Sequence, residues 1–203
     1  MVAIVDYGVG NLFSLRSSFQ KINCQVVVTG DAETIQKADR IILPGVGAFE
    51  DAARKLRDSG LDRVICAEAA AGKPLMGICL GMQMLFEKSY EFGEHQGLGL
   101  ISGKVVAMKP EIPETLKVPQ IGWNALHMTK PEHPLFKYIH PSDYVYFVHS
   151  YYAADCDEAV IATCEYGKEL TAAVASDNVL GCQFHPEKSG TVGLNILRAF
   201  CEL

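Results

Sequence analysis

The first eighty residues alternate between short, continuously apolar runs and amphipathic stretches that open at turns, and this alternation restricts the fold more than any other feature. Val2–Val5, Gln25–Val28, Arg40–Leu43 and Pro74–Ile78 read as strands. Helical spacing of apolar residues follows the first at Leu12, Leu15, Phe19 and Ile22, and the third at Phe49, Ala52, Ala53 and Leu56. Asp31–Ala38 and Leu61–Ala71 read as further helices. Strands that are apolar on both faces and separated by helices belong in a parallel sheet covered on both sides. The expected class is therefore α/β, with a central, mostly parallel sheet flanked by helices. Ligands of such sheets sit at the C-terminal strand ends. Pro44-Gly45-Val46-Gly47 and Cys79 both fall there and are expected to be neighbours.

Beyond Glu91 the pattern changes. Lys104–Met108, Ile121–Met128, Asp143–Ala153, Ala159–Glu165, Thr171–Ser176 and Val179–Phe184 are strand-like and separated by turns or proline-rich pieces. Ser176-Asp177-Asn178 reads as a hairpin turn, so antiparallel strands are expected to be added to the sheet. An amphipathic helix over about Thr191–Cys201 closes the chain. No linker divides it, and 203 residues suit one domain spanning 1–203.

A formal net charge of −6 and the lack of a basic tract disfavour nucleic acid and anionic membranes as partners. No apolar run approaches a membrane span, and the opening MVAIVDYG enters a strand without a basic leader. The seven cysteines form no C-x-x-C pair, and the histidines, among them His127, His133 and His149, lack metal-ligand spacing. No metal or cofactor is expected. The glycine loop at 8–11 lacks the third glycine of a dinucleotide fingerprint. Free thiols suit a reducing compartment, and a cytoplasmic protein is expected.

Within Lys73–Glu87, Gly77-Ile78-Cys79-Leu80-Gly81 places one cysteine on the turn between a strand and a helix starting near Leu80. This is the sulfur counterpart of the G-x-S-x-G elbow. Glycines on either side let the two elements close around a strained nucleophile. The helix N-terminus directs unpaired N–H groups at the sulfur, an arrangement that favours an anion. Alone, the stretch equally fits a cysteine packed as a small apolar side chain. In Gly181–Glu187, an extended chain would put Gln183, His185 and Glu187 on one face. The carboxylate would orient an imidazole that exchanges a proton with Cys79. Alone, His-Pro-Glu fits an inert surface turn better. Gln83 lies one helical turn beyond Cys79, on the same face.

Together, GICLGMQ (77–83) and FHPE (184–187) resemble the class I, triad-type glutamine amidotransferases over the whole chain. DYGVGNL (6–12), LPGVGAF (43–49), PQIGWN (119–124), HSY (149–151) and QFHPEKS (183–189) are similar to the glutaminase-subunit family of imidazole glycerol phosphate synthases. The resemblance implies a flavodoxin-like sheet, with Cys79 as nucleophile, His185 as base and acid, and Glu187 as its orienter. It also implies an oxyanion hole from Leu80 and the Val46-Gly47 peptide, and glutamine held by Gln83, Glu91, Ser150 and Tyr151. A (β/α)₈-barrel synthase subunit would be the partner, receiving ammonia for histidine biosynthesis and contacting Asn11, Trp123 and Asn124. Glu91 as a solvated side chain, Trp123 as core packing and Asn11 as a helix cap stay open. The glutaminase subunits of pyridoxal phosphate synthase or anthranilate synthase share the same chemistry. A non-catalytic redox module would need neither Gln83 nor Glu187.

Overall fold

The computed structural model describes residues 1–203. In its first half β1 (Val2–Val5), α1 (Leu12–Lys21), β2 (Val26–Thr29), α2 (Ala32–Lys37) and β3 (Arg40–Leu43) follow the expected order. Next come α3 (Phe49–Asp58), α4 (Leu61–Ala70), β4 (Leu75–Ile78) and α5 (Leu80–Met84). The second half holds β5 (Phe86–Ser89), β6 (His95–Gln96), β7 (Ile101–Ala107), β8 (Gln120–Ala125) and β9 (His127–Met128). It continues through β10 (Tyr144–His149), β11 (Tyr151–Ala154), β12 (Val160–Glu165), β13 (Glu169–Ser176), β14 (Val179–Cys182) and α6 (Gly190–Cys201).

The main sheet has eight strands in the order β2-β1-β3-β4-β14-β13-β12-β9. Its first five are all parallel and reproduce the flavodoxin order, while β13, β12 and β9 extend it antiparallel. Period-two alternation sends successive residues to opposite faces. Val2 and Ile4 join a core with Phe19, Phe184 and Phe200 beneath α1 and α6. Ala3 and Val5 join another with Ile35, Phe49 and Ile65 beneath α2, α3 and α4. Both faces are covered, which explains the unbroken apolar strands.

Three expectations change. The helix after Cys79 is only five residues long, because Phe86–Ser89 leaves it to pair with β7. The run Asp143–Ala153 is not one strand. It breaks at Ser150, sending β10 to a two-stranded sheet with β8 and β11 to a four-stranded sheet with β7, β5 and β6. The 181–187 segment is not extended throughout, since β14 ends at Cys182 and Pro186–Lys188 forms a 3₁₀ turn. Proline suits the first turn of a helix because its missing N–H would be unpaired there.

Beneath the elbow the backbones approach so closely that only glycine fits. A β-carbon on Gly81 would overlap the main-chain carbonyl of Leu43, and one on Gly45 would meet Gly81 N at 2.6 Å. The obstacles are backbone atoms, so no rotamer change relieves the overlap. Gly81→Ala is expected to destabilise the fold by roughly 3 kcal/mol or more, the upper range for overpacking. Urea unfolding of the two proteins checks this, and equal midpoints would contradict it.

Candidate active site

Cys79 occupies the link between β4 and α5 with φ 55° and ψ −113°, a left-handed conformation rare for a side-chain-bearing residue. Such a position costs about 1–3 kcal/mol and persists only where the surroundings enforce it. Here its N–H donates to Cys182 O at 2.8 Å and its carbonyl accepts from Gln83 N at 3.1 Å. The sulfur is thus fixed at the C-terminal edge of β4, next to β14, the strand that leads into His185.

After β14, His185 N donates to Tyr146 O at 2.9 Å, and Ser189 Oγ donates to His185 O at 2.6 Å. The 3₁₀ turn then brings Glu187 back beneath the imidazole, where His185 Nδ1 donates to Glu187 Oε1 at 2.8 Å. The turn accomplishes what an extended strand was expected to do. Both side chains are buried. Burial alone would lower the His185 pKa, but hydrogen bonds with Cys79 and Glu187 outweigh it and raise the imidazole to about 9.

Cys79 and His185 open onto a cavity of about 340 Å³. Leu80, Gln83 and Glu91 line it, with Val46 and Gly47 from the loop after β3 and Ser150 and Tyr151 from the break between β10 and β11. Gly47 has φ +92°, so the 46–47 peptide adopts an orientation that glycine permits. Glu91 Oε2 accepts the Phe49 N–H at 2.7 Å, and partial burial raises its pKa. It is therefore not a freely solvated surface glutamate. Gln83 is buried, with Nε2 donating to Tyr151 O at 3.0 Å and to Gln183 Oε1 at 2.9 Å. A larger depression of about 640 Å³, lined by Ser102, Asp155 and Glu158, holds no histidine. Its one thiol, Cys156, is pushed up to about 11 by burial.

Near this cavity, β8 and β10 present Ile121, Trp123 and Tyr144 to solvent, with Trp123 edge-on to Tyr146 at 6.1 Å. Trp123 is half exposed, which excludes simple core packing. Asn124 is turned inward, accepting from Gln120 Nε2 at 2.9 Å and donating to Glu165 O at 3.2 Å. Asn11 precedes α1 without a side-chain capping bond, so capping does not account for it.

Pro119, His149 and Lys188 also line the cavity; His149 was expected to be structural or exposed, and the other two had no expected role. His149 is buried, its Nδ1 donates to Tyr151 O at 2.8 Å, and its Nε2 has no partner. Alternation along β10 sends Val145, Phe147 and His149 to the buried face, and the strand break at Ser150 brings the Tyr151 carbonyl to the ring. Burial, with His185 nearby, lowers the His149 pKa to about 4. The unfolded chain binds its proton near 6.5, so this residue's contribution to stability is complete above that pH and lost as pH falls toward 4. The total is on the order of 3 kcal/mol. His149→Asn is expected to flatten the fall in melting temperature between pH 6.5 and 4, and an unchanged acid slope would refute the assignment.

A cysteine on a parallel-sheet elbow, beside a buried His–Glu pair, is the arrangement that thiol acyl transfer requires. The glutamine amidotransferase class-I family matches residues 3–202, and the chain belongs to it. The imidazole glycerol phosphate synthase subunit HisH of Sulfurimonas denitrificans is 54% identical over 202 residues, 98% of this chain and 97% of that protein. The subunit of the same name from Lactococcus lactis is 48% identical, covering 99% and 98%. Solved folds agree. A glutamine amidotransferase crystal structure superposes with TM-score 0.77 at 20% identity, covering 100% of this chain and 98% of the other. The structure of PurLQS from Thermotoga maritima gives 0.73 at 20%, covering 99% and 97%. No helix is long and apolar enough to cross a membrane.

Proposed function

We propose that this chain, acting as one amidotransferase domain over residues 1–203, is the glutaminase subunit of imidazole glycerol phosphate synthase in histidine biosynthesis. The observation that carries the chemistry is the Cys79–His185–Glu187 alignment at the cavity floor, with 2.8 Å between His185 Nδ1 and Glu187 Oε1. The Cys79 sulfur attacks the carboxamide carbon of L-glutamine. The Leu80 N–H and the Val46-Gly47 peptide stabilise the oxyanion, a role that requires preorganised donors. His185 gives its proton to the departing nitrogen, releasing ammonia and leaving a glutamyl thioester. Water, deprotonated by His185, then cleaves the thioester to glutamate and restores the thiol. Glu91 and the Gln83 carboxamide oxygen face the substrate ammonium, while the Ser150-Tyr151 backbone faces its carboxylate.

Ammonia lost to water at neutral pH would be protonated, so release into a shielded exit is chemically sensible. The exposed Ile121–Trp123–Tyr144 surface beside the cavity suits a docked synthase subunit, which we take to be a (β/α)₈ barrel. Asn11 and Trp123 would meet it, with Asn124 supporting β8 from within. The compartment would be the cytoplasm. The test is glutamate release from L-glutamine with and without the barrel subunit holding its phosphorylated ribotide ligand. Strong stimulation by that pair is expected. Stimulation only by a subunit of pyridoxal phosphate or anthranilate synthase would reassign the acceptor.

A further inference from the structure

The sulfur of Cys79 has a neighbour outside the chemistry described above. Gln183 is fully buried and lies off the cavity wall, yet its Nε2 is 3.7 Å from Cys79 Sγ, within hydrogen-bonding range for sulfur. A carboxamide can present either its oxygen or its NH₂, and the partners decide which. Here a main-chain carbonyl decides. Tyr151 O can only accept, and it receives Gln83 Nε2 at 3.0 Å and His149 Nδ1 at 2.8 Å. The Gln83 NH₂ is therefore turned inward, and its second N–H goes to Gln183 at 2.9 Å. Gln183 must meet that donor with Oε1, which leaves its own NH₂ directed at the sulfur. The Gln183 main chain is anchored separately, by N–H donation to Ala172 O at 2.8 Å.

We propose that Gln183 is a positioning residue that stabilises Cys79 as a thiolate, through a buried amide N–H locked in the donating orientation by Gln83 and the Tyr151 carbonyl. The inference rests on the proposed glutaminase site and adds a group to it. A hydrogen bond to an anion is stronger than one to a neutral acceptor, so its loss disfavours the anion. The same network joins the nucleophile to the strand break at Ser150. The groups around the sulfur are His185 from the segment after β14, the Val148 carbonyl of β10 at 4.0 Å, the Cys182 thiol of β14, the α5 backbone, and neutral His149 from β10.

The experiment is alkylation of Cys79 by iodoacetamide as a function of pH, followed at the Cys79 peptide by mass spectrometry. Gln183→Met keeps the side-chain length and removes the donor. We expect roughly tenfold slower alkylation at pH 7, as loss of one charge-assisted hydrogen bond implies, with the pH profile displaced upward. Glutaminase kcat is expected to fall by a similar factor and by more than KM rises, because Gln183 does not border the cavity and reaches the substrate only through Gln83. Superimposable alkylation profiles, or a rise in KM at constant kcat, would overturn the proposal. If Gln183→Met does not fold, the wild-type chain decides. The Gln183 side-chain ¹⁵N–H₂ resonances are expected to shift with the same midpoint as Cys79 alkylation, and resonances indifferent to pH would overturn the proposal. Alkylation needs neither glutamine nor the partner. Failure of this inference leaves wild-type glutaminase activity intact, whereas failure of the functional reading shows as no glutamate release whatever the alkylation profile.

Discussion

Cys79→Ala is expected to reduce glutamate release from glutamine by roughly 10⁵-fold while leaving the protein folded, because the covalent route disappears and water has no comparable activator. What remains would come only from binding and the backbone oxyanion donors. The substitution removes one sulfur from a side chain that lines the cavity and packs at the edge of the core holding Ile78 and Phe184, a small truncation. The backbone strain at φ 55° stays, since alanine tolerates that conformation no better than cysteine. Glycine does, so Cys79→Gly is expected to melt above Cys79→Ala while equally inactive. That contrast separates strain held for function from packing. Glutamate release by Cys79→Ala at a substantial fraction of the wild-type rate would remove the assignment.

Glu187→Gln is expected to lower kcat by roughly 10²–10⁴-fold, the range for a disabled general acid–base. The imidazole keeps a neighbour of the same shape and loses the charge that supports its protonated form. Two observations carry the direction. Glu187 accepts from Nδ1 at 2.8 Å, and it is one of the two partners that raise His185 to about 9 against the opposing effect of burial. Without the carboxylate the imidazole titrates lower, so the alkaline limb of the activity profile moves down from about pH 9. Stability follows the same sign. His185 contributes stability in full below its unfolded value of 6.5, and the contribution is lost as pH rises through about 9. In the variant this stabilisation is reduced. An alkaline limb that stays in place would separate Glu187 from the proton chemistry.

The elbow was legible because its requirements are local. Gly77, Cys79 and Gly81 at spacing two reflect a turn where neighbouring β-carbons have no room, and the structure shows Gly81 against the Leu43 carbonyl. The parallel half was equally legible, because helices on both faces require apolar strands of the Val2–Val5 kind. Glu187 was placed near His185 for an incomplete reason. Alternation along a strand put them together, whereas a proline-initiated 3₁₀ turn does so in the fold. His149 and Gln183 were the residues whose surroundings went unread. A histidine before a serine, or a glutamine just past a strand's end, has no local signature of facing a sulfur.

From local chain chemistry alone follow the α/β class and the strand-to-helix turn at Cys79, with a carboxylate two residues beyond His185. These depend on periodicity, glycine sterics and proline, which act over a few residues. Folding in three dimensions supplied the rest. Adjacent pairing of β4 with β14 carries His185 to a sulfur 106 positions earlier in the chain, and the break at Ser150 delivers the Tyr151 carbonyl that orients two buried amides. Hydrogen bonds between segments so distant depend on which strands pair and in what register, and no short stretch of sequence contains that information.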